Sequence, residues 1–200
     1  MTAAALAHQK IQPLDSELAL RCRDGDKEAF GQIYARYEDA IFRYAYYLTG
    51  NREDAADIKQ ETFLRAYRAI ATFREEAGLL TWLLKICVNL CRDRVRSWSH
   101  RQIVYRETPE NLIGIAAADN PQQALEHAHL IQTILRALKG LSPAQREIVV
   151  LHTVENLDYP EIGRILGCAA TTAKMRGFRA HKCLKDRVFS LLKGDNYDEN

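Results

Sequence analysis

The chain has 200 residues and a mass of 22.8 kDa, with 47% apolar residues, 27% charged residues and a net charge of +2. This composition excludes a largely disordered chain, and the length predicts one large or two small folded domains. No apolar run reaches the ~18–20 residues of a membrane span, and residues 1–13 lack the apolar stretch of a secretion signal. We therefore expect a cytoplasmic protein without membrane insertion. The five cysteines form no Cys-x-x-Cys pair and are interpreted as reduced thiols.

Charge is strongly segregated along the chain. Residues 85–106 carry six basic side chains against Asp93 alone, and residues 164–187 carry seven against Asp186 alone. Residues 107–130, between these two blocks, carry four acidic side chains and no lysine or arginine. Basic blocks on helices favour a polyanionic partner, because phosphates that are neutralised release condensed counterions. A solvated helix face is the alternative interpretation of either block.

The first half of the chain has the periodicity of four helices. A weak helix over about residues 15–23 leads into a strongly periodic one over 27–49, which Asp26 can cap and Gly50 can end. A third helix is predicted over about residues 52–72, with these side chains inward: Ala55, Ala56, Phe63, Ala66, Tyr67 and Ile70. The fourth covers about residues 79–98, and its apolar side is formed by Leu79, Leu83, Ile86 and Leu90.

The second half begins with a predicted flexible linker and continues as helices. Periodicity fades after Trp98, and a new helix is expected from Pro121 to about Gly140. Capping boxes at residues 142–145 and 158–161 open helices that extend to about Asn156 and Leu166, and a final helix covers about residues 171–192. A short helix, a glycine-containing turn and a longer basic helix are the elements of a helix-turn-helix, although helix pairs that merely pack share them. Strand patterns are absent, so we predict an all-α fold.

Two helix faces are candidates for nucleic-acid contacts. On the final helix, an arc of about 140° holds Thr171, Lys174, Met175, Phe178, Arg179 and Lys182, opposite the small or apolar residues Ala173, Gly177, Ala180, Leu184 and Leu191. Phe178 has a core position as its alternative. On the fourth helix, one face is formed by Lys85, Asn89, Arg92 and Arg96. An asparagine among arginines can bond a base edge while its neighbours hold phosphates, and Trp82 can stack on an unpaired base or sit in the core.

Ordered motifs cover most of the chain. The first lobe contains Gly25-Asp26, Ala29-Phe30, Tyr34-x-x-Tyr37, the run from Asp54 to Tyr67, and Thr81-Trp82-Leu83 followed by Ile86 and Asn89. The second contains the runs from Leu141 to Glu147 and from Glu161 to Gly167, then Thr172 to Arg176 and Arg179-Ala180. These motifs resemble regions two and four of bacterial RNA polymerase sigma factors of the extracytoplasmic-function (ECF) class. The family commonly has Val and Ser where Ala173 and Met175 stand, and a bulkier residue near Leu79.

The resemblance implies an alternative sigma factor that lends promoter specificity to RNA polymerase, is not an enzyme, and needs no cofactor or metal. Its polymerase-binding residues would be Asp57, Gln60, Glu61 and Arg65, although Glu61 and Arg65 can also form a simple i,i+4 pair. Its minus-ten residues would be Trp82, Lys85, Asn89, Arg92 and Arg96. Its minus-thirty-five residues would be Thr171, Thr172, Lys174, Met175, Arg176, Phe178, Arg179 and Lys182.

The resemblance also implies a domain plan and a set of partners. We expect a tail over residues 1–14, a region-two helical bundle over 15–98, a linker over 99–120, a region-four helix-turn-helix over 121–193 and an acidic tail over 194–200. The implied partners are promoter DNA, the clamp helices of the largest subunit and the flap of the second-largest subunit of core RNA polymerase, and an anti-sigma factor, soluble or membrane-bound. We expect the anti-sigma factor to pack the two lobes together and hide both basic faces.

Three other interpretations remain open from the sequence. A helix-turn-helix regulator that acts without polymerase would leave the fourth-helix stripe and the residues from Asp54 to Tyr67 without a role. A sigma-like decoy would bind an anti-sigma factor but not DNA. A metal or redox site would use Cys87, Cys91 and His100, for which two buried helix cysteines are the simpler explanation.

Overall fold

The computed structural model describes residues 13–74, 77–98 and 131–194, and all regular structure in these ranges is helical. The elements are α1 (Pro13–Arg23), α2 (Lys27–Thr49), α3 (Arg52–Ala69) with a 3-10 turn (Ile70–Thr72), α4 (Leu79–Trp98), α5 (residues 131–139), α6 (Pro143–Val149) with a π-turn (Val150–Val154), α7 (Tyr159–Leu166) and α8 (Ala170–Gly194). We call α1–α4 the first lobe and α5–α8 the second. The prediction of an all-α fold is confirmed.

The helix ends of the first lobe follow local side-chain chemistry. The Asp26 carboxylate accepts hydrogen bonds from the amides of Glu28 and Ala29 at 2.9 and 3.1 Å and so caps α2. Gly50 ends that helix in the left-handed region with φ 64°, and its amide donates to the Tyr46 carbonyl at 2.7 Å. Both assignments from the sequence are confirmed.

The core of the first lobe forms where α2 packs against α1, α3 and α4. The largest side chains that are fully buried there include Leu18, Ile33, Ile41, Tyr44 and Leu83. Asp15 holds α1 on α2, because its carboxylate pairs with Arg36 at 2.5 Å and accepts a hydrogen bond from the Tyr37 hydroxyl. Burial and the Asp15 charge both raise the pKa of Tyr37.

Two predicted buried faces need correction. On α4 the buried apolar residues are Leu79, Leu83, Leu84, Cys87, Val88 and Cys91, whereas Ile86 and Leu90 are only half-buried. The buried arc is wider and shifted because α2, α3 and α7 all pack on this helix. On α3, Ala56 is half-buried and Tyr67 is 45% exposed, with its ring edge-to-face on Phe30 at 5.0 Å rather than in the core.

The helix starts of the second lobe also match their predicted caps. Ser142 and Asp158 form complete capping boxes with Gln145 and Glu161, and Gly167 ends α7 with φ 70°. The segment predicted to be helical to about Asn156 is helical to Val154, but its last five residues form the π-turn instead of continuing as α-helix. There the amide of Glu155 donates to the Val150 carbonyl at 3.1 Å, and the Glu155 residue is fully buried.

Several predictions lie outside the described residues. These are nearly all of the tail over 1–14, the linker over 99–120, the opening of the second lobe at Pro121 and the tail over 194–200, so the predicted domain limits stay predictions. Across 13–74, 77–98 and 131–194, no helix is long and apolar enough to cross a bilayer.

We predict opposite effects for two tyrosine-to-phenylalanine substitutions in α2. Tyr44 is fully buried, and its hydroxyl has no hydrogen-bond partner among the described residues. Tyr44→Phe is expected to raise the free energy of unfolding by about 1 kcal/mol, because it removes a buried hydroxyl that is not satisfied. Tyr37→Phe is the matched control and should lower that free energy by about 1–3 kcal/mol, because Asp15 loses its donor. Urea unfolding would measure both, and a destabilising Tyr44→Phe would contradict the prediction.

Candidate nucleic-acid interface

The helix-turn-helix of the second lobe is held by contacts that exclude larger side chains. At Gly163 in α7, an added Cβ would lie 2.7 Å from the Cys168 carbonyl oxygen in the turn. At Gly177 in α8, an added Cβ would lie 2.7 Å from the Tyr159 ring. Ala173 and Ala180 on the same side of α8 are fully buried. This small-residue side brings α8 close to α7 and turns its other side to solvent.

The exposed side of α8 is the face predicted from its periodicity. Its exposed residues are Thr171, Lys174, Met175, Arg176, Phe178, Arg179 and Lys182, and Thr172 is half-buried. Phe178 is 73% exposed and Met175 is 58% exposed, so the alternative core position of Phe178 is wrong. Apolar side chains flanked by cations can contact thymine methyl groups while the cations reach phosphates and guanine edges.

The same face continues beyond the residues chosen from the sequence. Lys185 and Phe189 follow Lys182 at steps of three and four, and Phe189 is 60% exposed. The helical periodicity extends to them, so this signal was available in the sequence. A second feature that sequence reasoning missed is His181, whose ring nitrogens lie 2.8 Å from the Gly177 carbonyl and 2.8 Å from the Thr153 hydroxyl. It ties α8 to the π-turn, and no sequence spacing indicates this contact.

The predicted minus-ten face of α4 is only partly exposed. Lys85, Asn89 and Arg96 are exposed, and Trp82 is half-buried with its ring centroid 5.3 Å from that of Phe73. Trp82 therefore packs within the first lobe, in agreement with its alternative position in the core. Part of the ring stays accessible.

Arg92 of the predicted minus-ten face has a partner in the second lobe. Its guanidinium forms two hydrogen bonds of 2.8 Å with the Glu147 carboxylate, which belongs to α6 of the second lobe. The Glu147 side chain is only 8% exposed, and a buried carboxylate requires such a partner. The pairing raises the pKa of Arg92 further above its ordinary value. Because these residues are 55 positions apart, no local pattern could reveal the contact.

The predicted polymerase-binding residues lie together on α3. Asp57, Gln60 and Arg65 are exposed and Glu61 is half-buried. Glu61 and Arg65 form the expected i,i+4 ion pair at 2.7 Å, and Asp57 lies 3.6 Å from Arg94 of α4. Three of the four line a depression of about 320 Å³ between α3 and α4; Gln60 does not. The site is a mixed-charge surface and not a purely acidic one.

The cysteine interpretation finds no support in the described part of the chain. Cys87 and Cys91 are buried in the first-lobe core, where the Cys87 thiol lies 3.9 Å from the Ile41 carbonyl. The contact with Cys87 and burial both raise the pKa of Cys91, which disfavours the thiolate that a metal needs. Within these ranges no group of three His, Cys, Asp or Glu side chains is placed to hold a metal ion, and His100 lies outside them.

Comparisons with known proteins identify the family to which this chain belongs. The family model of Sigma-70 region 2 matches residues 33–101, and that of Sigma-70 region 4 matches residues 131–184. The ECF RNA polymerase sigma factor SigE of Mycolicibacterium smegmatis is 33% identical over 182 residues, which span 88% of this chain and 70% of that protein. The chain belongs to the ECF family of RNA polymerase sigma factors. A sigma-E factor of Haemophilus influenzae is 29% identical and covers 90% of this chain and 98% of its own length.

Two solved structures of sigma factors share the fold. CnrH in complex with the cytosolic domain of CnrY has a TM-score of 0.64 at 26% identity, covering 91% of this sigma factor and 99% of CnrH. RpoE of Bartonella quintana, in complex with the anti-sigma factor NepR, has a TM-score of 0.61 at 26% identity and covers 80% of this chain and 96% of RpoE. The resemblance to the ECF class and the prediction of two helical lobes are confirmed.

We predict that the close packing of α7 tolerates no side chain at residue 163. Gly163→Ala is expected to lower the free energy of unfolding of this sigma factor by about 1–3 kcal/mol, because the methyl group would overlap a backbone carbonyl. Gly31→Ala is the matched control, since open space surrounds that position in α2. It should raise stability by about 0.5–1 kcal/mol through helix propensity. Urea unfolding followed by circular dichroism would decide, and a Gly163→Ala protein as stable as the parent would refute the prediction.

Proposed function

We propose that this sigma factor binds core RNA polymerase through its first lobe and reads two promoter elements with α4 and α8. The observation that carries the proposal is the exposed cationic and apolar face of α8, displayed on a helix-turn-helix whose opposite face is closely packed. Nucleotidyl transfer is then the chemistry of the polymerase, and the sigma factor acts in the cytoplasm as a specificity subunit.

The proposed minus-thirty-five contacts lie at the N-terminal half of α8, the part of a recognition helix that enters the major groove. Lys174 and Arg179 are exposed and can reach base edges, with Met175 and Phe178 against thymine methyl groups. Thr171, Thr172, Arg176 and Lys182 complete the proposed contact set. At a rise of 1.5 Å per residue the set spans about 16 Å along α8, so its central residues are the ones nearest the bases and its ends lie nearer the phosphates that border the groove.

The proposed minus-ten contacts are those of α4. Asn89 is exposed and offers both a donor and an acceptor to a base that has left the stack, which offsets part of the unstacking cost. Lys85, Arg92 and Arg96 would hold the neighbouring phosphates, with Trp82 at the edge of the same surface. Arg92 can do so only after it leaves Glu147.

The proposed polymerase surface combines Asp57, Gln60, Glu61 and Arg65. Interspersed charges of both signs favour a specific protein partner, because register and orientation are then fixed by complementary pairs. We assign this surface to the clamp helices of the largest subunit, and the second lobe to the flap of the second-largest.

Control by an anti-sigma factor is also part of the proposal. CnrH is in complex with the cytosolic domain of CnrY, and RpoE of Bartonella quintana with the anti-sigma factor NepR. Both are similar to this chain over most of its length, which supports an anti-sigma partner, soluble or membrane-bound, for this sigma factor too.

Runoff transcription tests the proposed function directly. Purified core polymerase from the native host would be supplied with genomic fragments, with and without this protein. Discrete new start sites with two shared upstream elements are expected. If no start sites appear while the protein still binds duplex DNA, the regulator interpretation takes its place, and with neither activity the decoy does.

We predict that Asp57→Lys separates polymerase binding from DNA binding. The side chain is 66% exposed, so the fold should tolerate the reversal, while repulsion at the proposed clamp contact should weaken core binding at least tenfold. Duplex DNA binding should be unchanged. Glu17→Lys is the matched control, because it reverses an exposed charge on α1 away from this surface. Fluorescence anisotropy with labelled core would measure both, and equal affinities for the two variants would exclude the assignment.

We predict that Phe178→Ala weakens binding to minus-thirty-five duplexes about tenfold, or 1.4 kcal/mol, by removing contacts with thymine methyl groups. Stability should be unaffected because the ring is 73% exposed. Leu20→Ala is the matched control, since this apolar side chain is 55% exposed on α1 of the first lobe and is no part of the proposed contact set. Its affinity should equal that of the parent. Similar losses for both variants in a gel-shift titration would count against base contact by Phe178.

A further inference from the structure

A cluster of aromatic and polar side chains joins α8 to the π-turn of the second lobe. The ring of His181 lies between two partners, with Nδ1 2.8 Å from the Gly177 carbonyl and Nε2 2.8 Å from the Thr153 hydroxyl. The His152 ring of the π-turn is perpendicular to that of His181, with centroids 5.3 Å apart, and its centroid is 4.6 Å from that of Tyr159. We call the contact between His181 and Thr153 the α8 tether.

The partners of His181 determine which of its nitrogens carries the hydrogen. A backbone carbonyl can only accept, so Nδ1 carries the hydrogen and donates to Gly177. In the neutral ring Nε2 is then an acceptor, and the Thr153 hydroxyl donates to it. Nδ1 of His152 likewise donates to the Leu157 carbonyl at 2.9 Å, which holds that ring beside the tether. Both nitrogens of His181 are therefore engaged within the second lobe.

His181 lies at the edge of the packed side of α8. It follows Gly177 by four residues, so the two share one face of the helix with the buried Ala173. At Gly177 an added Cβ would lie 2.7 Å from the Tyr159 ring, so the approach at this point is close. Small residues allow such an approach but constrain the rotation of a helix about its axis less than interlocking large side chains do. A hydrogen bond has a preferred direction, and the tether supplies one here.

The rotation of α8 determines where its exposed face points. The helix with its side chains has a radius of about 5–6 Å, so a rotation of about 10° moves a side-chain tip by about 1 Å. Contacts with base edges do not survive such a displacement, since hydrogen-bond distances span only about 2.7–3.2 Å. Contacts with phosphates do, because a lysine reaches them on a flexible four-carbon chain. Rotation therefore affects base reading far more than the general attraction to DNA.

We propose that His181 is a positioning residue for the minus-thirty-five face: through the Thr153 hydroxyl it fixes the rotation of α8, and with it the direction in which Met175 and Phe178 meet the bases. The inference rests on the proposed function of α8, whereas the tether itself does not. Gly177, whose carbonyl accepts from His181, directly precedes Phe178, so the anchored residue adjoins the reading face. The hydroxyl comes from the π-turn, an element that is rare in proteins and frequent at functional sites.

Three variants of the full chain test the tether. His181→Asn keeps an amide near the position of Nδ1 but is too short to reach Thr153, whereas the longer His181→Gln reaches it. Thr153→Val removes the hydroxyl and keeps the shape of the side chain. Because Thr153 is exposed, water satisfies the groups that lose a partner, and the urea midpoints should stay close to that of the parent. Thr72→Val is the matched control, since the Thr72 hydroxyl makes an exposed 2.7 Å bond to the Ala69 carbonyl in the first lobe.

The measurement is a specificity ratio. It is the affinity for the duplex that the parent protein selects from a random-sequence pool, divided by the affinity for a scrambled duplex of the same composition. The ratio should fall roughly 3- to 10-fold in His181→Asn and in Thr153→Val, as expected for one lost hydrogen bond. The double variant should lose no more than either single variant, because both changes remove the same contact. His181→Gln and Thr72→Val should stay within about twofold of the parent.

The salt dependence of binding separates positioning from direct contact. All variants should bind the scrambled duplex like the parent and with the same slope of log affinity against log salt, since the phosphate contacts are unchanged. A slope that changes by about one in His181→Asn would show that His181 itself contacts a phosphate, and would overturn the positioning role.

Three other results bear on the inference. Unchanged ratios in His181→Asn and Thr153→Val would overturn it, and so would losses that add in the double variant, because the two residues would then act separately. A ratio that falls only in step with the urea midpoint would assign His181 to stability alone. A parent protein that selects no sequence would instead overturn the proposed base reading by α8, on which the positioning role depends.

Discussion

The placement of positive charge is the constraint on which the rest of the structure depends. A helix that is to meet a polyanion must keep its cations in water, so all of its packing has to be made by the opposite side. On α8 that side is reduced to Ala173, Gly177 and Ala180, which allow α7 to approach closely. On α4 it is broad, and the small thiols Cys87 and Cys91 belong to it. The basic faces thus determine which residues the cores can use.

The second lobe buries two carboxylates where it meets the first. A lobe of fewer than about 80 residues has limited core to stabilise it, yet the second lobe places Glu147 and Glu155 at its contact with the first. Such residues contribute little net stability, because the desolvation of two charges offsets most of their attraction. In the docking that the structure shows, both carboxylates have guanidinium partners, Arg43 and Arg92.

Local chemistry could be predicted from the sequence, and contacts between distant residues could not. Caps at Asp26, Ser142 and Asp158 and the terminator Gly167 depend on neighbours within a few residues, and each is found where the sequence indicates it. The exposed face of α8 follows from a single period of 3.6 residues. The buried arc of α4 was displaced because three helices cover it, and the pairing of Arg92 was missed because its partner is 55 residues away. The π-turn before Glu155 has no sequence signal that we can identify.

Arg92 connects the packing of the two lobes with promoter binding, because two partners compete for its guanidinium. In the proposed function Arg92 binds a promoter phosphate and must first leave Glu147, so the docked arrangement of the lobes opposes that contact. Whatever stabilises the docked arrangement would then weaken promoter binding in proportion to the loss of the competent fraction. An anti-sigma factor that binds the docked arrangement of the two lobes would need only to add to the stability that this arrangement already has. A polymerase surface that holds the lobes apart would remove the contact between them, and Arg92 would become available to DNA only within the holoenzyme.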